Sequence, residues 1–219
     1  MASFTVHELL GRVSSALERG RGAEAAELAG SALRSTTLTR DDELALRAAL
    51  AEAWLQQDDL EQVASALGRP PDTFRDTVAP ARLSALWRLH GRLALRRGDQ
   101  SRAVALQTRA LKHAELAHDS RAIGLAHYEL AECYRQVGDL AIVREHITKA
   151  ASALHAAGDR RHLALVHSVS SISFAQQGRY DEAMSALRHA ERIAASVSAN
   201  DVVATVCGNQ ANEIGRAHV

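Results

Sequence analysis

The chain has 219 residues, and its 26 Lys and Arg residues balance 26 Asp and Glu residues, so its formal net charge is zero. This balance argues against a nucleic-acid binder, which usually carries a basic excess, and against a polybasic membrane-surface protein. The sequence has no signal-peptide pattern and no apolar run long enough to span a bilayer. Cys133 and Cys207 form no CxxC pair or disulfide framework, which favours a reduced, cytoplasmic compartment.

The N-terminal part, residues 1–68, is predicted to hold two helix pairs. Its first helix begins at a capping box, in which Thr5 and Glu8 would each bind a free backbone N–H of the other residue. Apolar residues at helical spacing follow, and a turn at 20–22 separates this helix from the second. Each helix therefore presents one apolar stripe for burial.

An irregular connector is predicted at residues 69–80. All three prolines fall there, Pro70, Pro71 and Pro80. Proline has no N–H to donate and breaks a helix interior, so the preceding helix should stop near Gly68. A lengthened surface loop and a functional hinge remain open as interpretations of this segment.

Four evenly spaced turns organise the chain, and each is 40 residues from the next. Glycine at such a turn suits a left-handed helix C-cap, and a following aspartate can cap the next helix. Asp119 and Asp159 are predicted to begin further helices in the same way. Residues 81–213 are thus predicted to form a regular array of three repeats plus a truncated sixth unit. The turns are Asp58-Asp59, Gly98-Asp99, Gly138-Asp139 and Gly178-Arg179.

The last six residues, 214–219, read as the translation of ATCGGAAGAGCACACGTC, which is part of a common short-read sequencing adapter. We expect them to be adapter read-through, so that the natural frame is cut near Glu213. Residues 200–219 are then expected to fray and to favour self-association through the C-terminal face of the array.

The repeat positions resemble those of the tetratricopeptide repeat (TPR) family. The period of 40 departs from the usual 34 of that family and is similar to a longer-helix variant of bacterial signalling and transcription regulators. The residues that carry the resemblance are Trp87, Gly91, Ala94, Gly98, Asp99, Ala103 and Ala110; His127, Ala131, Tyr134, Gly138, Asp139, Val143 and Ala150; and Ser171, Phe174, Gly178, Tyr180, Ala183 and Ala190.

The resemblance implies an all-α solenoid, a right-handed superhelix of stacked antiparallel helix hairpins. Small residues at Gly91, Ala131 and Ser171 should let paired helices approach closely, and stacking should supply the core. Tyr134 and Phe174 are expected to be largely buried between neighbouring hairpins.

The same resemblance implies a concave groove lined by the first helix of each pair, with a peptide or protein as partner. Its arginines could hold an acidic or C-terminal carboxylate bidentately, although a solvated charged face is the alternative at any one position. The predicted groove residues are Arg88, Arg92, Tyr128, Glu132, Arg135, Ser168 and Ile172.

No motif for chemistry stands out. The eleven histidines show no HExxH spacing, and there is no nucleophile elbow or glycine-rich phosphate loop. We therefore expect no enzyme, no metal and no cofactor.

Three functions remain open at this stage. The first is a non-catalytic interaction scaffold that binds a peptide or protein. The second is an N-terminal sensory or regulatory arm of a larger bacterial signalling protein or transcription regulator, whose output domain is missing. The third is a self-associating structural spacer.

Overall fold

The computed structural model describes residues 5–35, 38–74, 77–197 and Val202, and within these ranges it is all-α, without a strand. From α3 onward, each α-helix begins 20 residues after the one before. The helices are α1 (Val6–Glu18), α2 (Gly22–Ser35), α3 (Arg40–Gln56), α4 (Leu60–Leu67), α5 (Pro80–Arg96), α6 (Gln100–Leu116), α7 (Ser120–Val137), α8 (Leu140–Ala156), α9 (Arg160–Gln176) and α10 (Tyr180–Ser196), with a short 3₁₀-helix at Pro71–Phe74.

Aspartate caps begin five of the ten described α-helices, as the turns predict. In each case the carboxylate accepts a hydrogen bond of 3.0–3.2 Å from the backbone N–H three residues ahead, which satisfies a donor that the helix leaves free. The capping box of α1 is also present. The capping aspartates are Asp59, Asp99, Asp119, Asp139 and Asp159.

Left-handed residues end the preceding helices. Gly98, Gly138 and Gly178 have φ of 80°, 83° and 73°, as expected of helix C-caps. Two equivalent turns use residues other than glycine in the same region: Asp58 at φ 59° and His118 at φ 52°. A side chain is strained there, because the left-handed conformation brings Cβ close to the following carbonyl oxygen.

The helices form two compact units, residues 1–117 and 118–219. In the first unit, α1 packs on α2, α3 on α4 and α5 on α6, and the first helices of successive pairs also touch, α1 with α3 and α3 with α5. In the second, α7 packs on α8 and α9 on α10, and α7 contacts α9. Helix pairs therefore stack within each unit.

Alanine dominates the core, and the repeat positions occupy it. Most residues that define the repeat pattern are buried in every pair from α5 to α10. Where the buried side chain is small, the two helices of a pair can approach closely. The buried residues of the pattern are Trp87, Gly91, Ala94, Ala103, Ala110, His127, Ala131, Val143, Ala150, Ser171, Ala183 and Ala190.

Two glycines mark the closest helix contacts. A Cβ added at Gly124 of α7 would lie 2.6 Å from Cγ of Leu154 and 3.1 Å from its backbone nitrogen. A Cβ at Gly91 of α5 would lie 2.5 Å from Nε2 of Gln107, which is fully buried in α6. The absence of a side chain at these positions therefore sets the spacing of α5 from α6 and of α7 from α8.

Tyr134 and Phe174, predicted to be largely buried, are half-buried in the structure, and neither is exposed. The Tyr134 ring stacks on His146 with ring centroids 5.6 Å apart, and Arg179 lies over the Phe174 ring at 4.6 Å. Polar side chains thus cover one face of each ring. Truncation of either ring should therefore cost less than the full value for a buried aromatic.

The proline-rich connector lies inside the first unit. Its 3₁₀-helix contacts α5, and Pro71 and Phe74 are buried. The preceding helix, α4, has 8 residues and ends at Gly68, whereas α6 has 17. The connector thus takes the place of the second half of a helix.

The expectations for residues 200–219 concern residues that the structure does not describe, apart from Val202. That side chain is buried against a cluster that includes Ala164, Leu187 and Ile193. The fraying, the self-association and the adapter origin of 214–219 stay predictions.

Replacing Gly124 with alanine should lower the free energy of unfolding by about 1–3 kcal/mol, because Leu154 and its backbone leave no space for a methyl group. The control is Gly11→Ala, since Gly11 lies in α1 with nothing within 4 Å of an added Cβ. That change should raise stability by about 0.5–1 kcal/mol, as expected for a helix interior. Urea unfolding of the two variants checks this, and equal effects would contradict the close approach of α7 and α8.

The turn at His118 offers a stabilising change. His118→Gly should raise the free energy of unfolding by about 0.5–1 kcal/mol, because it removes a side chain from a left-handed residue. Gly158 occupies the same turn one repeat later at φ 69°, so Gly158→Ala should have the opposite sign. Thermal unfolding measures both, and a destabilising His118→Gly would show that the histidine side chain stabilises its turn.

Candidate functional site

Arg88 and Arg92 lie one turn apart on α5, and both bind Glu52 of α3. Nη2 of Arg88 donates to Oε2 of Glu52 at 2.9 Å, and Nη1 of Arg92 donates to Oε1. The three side chains are only 15% (Arg88), 26% (Arg92) and 27% (Glu52) exposed. We call these residues the Arg88–Glu52–Arg92 cluster.

The charges of the cluster depend on one another. Burial works to raise the pKa of Glu52, but the charges of Arg92 and Arg88 and their hydrogen bonds outweigh burial and hold that pKa well below its usual range. Glu52 is therefore ionised at neutral pH. The carboxylate holds both guanidinium groups in place, as preorganised recognition of an anion requires.

Sequence reasoning missed Glu52. A signal for it exists, because Glu52 precedes Arg92 by 40 residues and so occupies the equivalent position of the preceding repeat. Other ion pairs join successive helix pairs of the first unit with similar separations, Arg82 to Asp41 and Arg96 to Asp58. Charges about one repeat apart in the sequence therefore meet between successive helix pairs.

The predicted groove residues of the second unit have other partners. Tyr128 is half-buried and packs on the cluster of Leu125 and Leu154. Nη2 of Arg135 donates to Oε2 of Glu132 at 2.9 Å within α7.

Ser168 and Ile172, the predicted groove residues of α9, differ in exposure. Ser168 is buried, with 1% of its surface exposed, so it offers no ligand contact. Ile172 is half-buried.

Histidine pairs form a second polar feature of this unit. Nδ1 of His127 lies 2.9 Å from Nδ1 of His146, and the rings of His167 and His189 meet edge to face at 4.5 Å. Burial, and then the neighbouring His146, lower the pKa of His127 to about 4. Burial and His189 lower the pKa of His167 to about 4 as well. Both rings are therefore neutral at pH 7.

Other kinds of site find no support in the described ranges. No three His, Cys, Asp or Glu side chains converge there as a metal ion would require. None of the helices described combines the length and the apolar character needed to cross a membrane.

The fold has relatives among solved structures. No model of a known protein family matches the chain, and neither does any curated protein. A Rap protein complexed with competence and sporulation factor superposes with a TM-score of 0.67 at 12% identity, over 93% of this chain and 58% of that one. NprR in complex with its cognate peptide NprX superposes with a TM-score of 0.65 at 13% sequence identity, over 95% of this chain and 61% of that one.

A third match comes from a kinesin light chain protein of Podospora anserina with nearly identical TPR-like repeats, with a TM-score of 0.59 at 17% identity over 88% and 96% of the two chains. The fold is TPR-like. Identities this low show the fold alone. The chain spans about three fifths of the length of the Rap and NprR structures.

The histidine pairs predict a loss of stability in mild acid. A folded-state pKa of about 4, below the usual 6.5, means that the unfolded chain binds more protons between these values. The stability that these neutral rings contribute should therefore be fully present above pH 6.5. The free energy of unfolding should fall as pH drops from there toward 4. Thermal unfolding from pH 7.5 to 4.5 measures it.

His127→Gln should flatten this profile, and the exposed His155→Gln serves as the matched control. A parent protein whose melting temperature stays constant between pH 7 and 5 would contradict the neutral state of these rings.

Proposed function

We propose that this chain is a non-catalytic interaction scaffold that binds a peptide or protein segment through a carboxylate. The Arg88–Glu52–Arg92 cluster is the observation that carries the proposal. Two guanidinium groups on one helix face can each donate two parallel hydrogen bonds to a carboxylate, which a single lysine cannot do. The partner is a segment with an acidic side chain or a free C-terminus.

The cluster combines two properties of a binding site. Its arginines are mostly withdrawn from water, where hydrogen bonds to charged groups are stronger than at a fully exposed surface. Glu52 fixes their rotamers before a ligand arrives, so less side-chain entropy is lost on binding.

The fold supports the same proposal. Two structures that superpose on most of this chain are complexes, the Rap protein with competence and sporulation factor and NprR with its cognate peptide NprX. A TPR-like fold exposes helix faces rather than a closed catalytic cleft, which suits recognition of an extended segment. We place the scaffold in the cytoplasm, because a sequence with two cysteines and no CxxC pair or disulfide framework favours a reduced compartment.

The experiment compares three forms of the protein against short random peptides with a free C-terminal carboxylate. Glu52→Gln should strengthen binding, because the gain from removing a negative charge that competes with the ligand carboxylate outweighs the loss of preordered arginine rotamers. The triple variant Glu52→Gln/Arg88→Gln/Arg92→Gln should lower the peptide affinity by about tenfold or more, because the loss of one charge-assisted hydrogen bond has about this effect. Fluorescence anisotropy measures both affinities.

Two controls make this test specific. Peptides amidated at the C-terminus should bind the parent more weakly than their free-acid forms. Arg144→Gln removes one exposed arginine of the second unit and should leave the affinity unchanged. Equal affinity of the parent and the triple variant for every peptide would overturn the proposal.

A second candidate is a regulatory arm of a longer bacterial signalling protein or transcription regulator. The lengths of two structural neighbours favour this candidate, because this chain covers only 58% of the Rap structure and 61% of the NprR structure. The long-helix TPR variant that the 40-residue period suggests belongs to this candidate. Sequencing the gene beyond codon 213 tests it, and a stop codon directly after codon 213 would contradict it.

A further inference from the structure

A pocket in the first unit shares no lining residue with the Arg88–Glu52–Arg92 cluster. It has a volume of about 470 Å³ and opens between α4, the connector, α5 and α6. We call it the α4–α6 pocket. Small-molecule sites typically occupy about 300–1,000 Å³, so this space can hold an organic ligand.

The short α4 explains why the pocket exists. α4 stops at Leu67, and Gly68 and Pro70 turn the chain away, so that no further helical turns face the N-terminal half of α6. The connector closes only one side, with Asp72 of its 3₁₀-helix. Leu93 and Leu106 remain as apolar walls of the space that a longer helix would fill.

Positive charge surrounds the opening. Arg97, Arg102 and Arg109 line it, and Asp72 is the carboxylate among the lining residues. Asp72 binds Nη1 of Arg109 at 2.9 Å, and the Arg109 guanidinium also lies 4.8 Å from the centre of the Trp87 ring. Arg97 donates to the carbonyl oxygen of Leu60 at 3.4 Å. No carboxylate of the described residues pairs with Arg97 or Arg102.

His90 also lines this pocket, and its ring carries an unsatisfied nitrogen. Nε2 of His90 is buried and has no hydrogen-bond partner among the residues that the structure describes. Burial, and then the charge of Arg102, lower the pKa of His90 to about 4, so the ring is neutral at pH 7. A neutral imidazole with its proton on Nε2 can donate one hydrogen bond, and a buried polar atom without a partner is costly.

We propose that the α4–α6 pocket binds a small organic anion. Arg102 and Arg97 hold its carboxylate or phosphate group, Nε2 of His90 donates a hydrogen bond to it, and Leu93 and Leu106 contact its apolar part. Guanidinium groups suit both oxyanions, because their N–H groups match the spacing of the oxygen atoms. This ligand is distinct from the peptide of the proposed function and requires none of the cluster residues.

The test titrates the full chain, labelled with ¹⁵N, with three small probes. Benzoate and phenyl phosphate each join a ring to an oxyanion, and benzamide is their neutral counterpart. At least one anion should shift the amide signals of α4 and α6 in a saturable manner, whereas benzamide should not. The anion that binds more tightly identifies the ligand as a carboxylate or a phosphate.

Variants assign the binding to this pocket. Arg102→Gln should lower the affinity for the preferred anion by about tenfold, because a charge-assisted hydrogen bond is lost. His90→Phe keeps a ring of similar size and should also weaken it. Arg144→Gln is the matched control and should titrate like the parent. The proposal is overturned if neither anion saturates, if benzamide binds as well, or if Arg102→Gln binds like the parent.

Discussion

The close approach of the two helices in a pair is the constraint on which this protein depends. Gly91 lies against Gln107 and Gly124 against Leu154, at distances where even one added methyl group would clash. Helices this close leave room only for small side chains at the contact, which explains a core made largely of alanine. Dispersion contacts among these small groups add to those of buried leucines and valines such as Leu86, Leu154 and Val143.

The repeat geometry also builds the candidate site. Because α3 and α5 are first helices of successive pairs, residues 40 positions apart come side by side, and Glu52 meets Arg92 in this way. The same arrangement brings Asp41 to Arg82. The α4–α6 pocket has the opposite origin, since it forms where the repeat is interrupted and α4 ends early. Regular pairs thus supply an ordered charge cluster, and the irregular one supplies a cavity.

The sequence predicted the features that depend on local chemistry. Glycine at 98, 138 and 178, aspartate caps, and the stop at Gly68 each reflect a backbone requirement that one or two residues reveal, so the helix breaks could be placed closely. Side-chain environments could not be placed in this way. Ser168 is buried and Tyr134 is half-covered by His146, because burial depends on contacts from another helix. Glu52 and the α4–α6 pocket likewise depend on how α3, α4 and α6 lie against α5.

The central claim is that a ligand carboxylate binds at the Arg88–Glu52–Arg92 cluster. Paramagnetic relaxation tests it most directly, with a peptide that binds the protein and carries a nitroxide label beside its C-terminal carboxylate. The account predicts that the label broadens the amide signals around Glu52, Arg88 and Arg92 most strongly, and that an excess of unlabelled peptide restores them. Broadening centred on the second unit or on the α4–α6 pocket, with these signals unchanged, would contradict it.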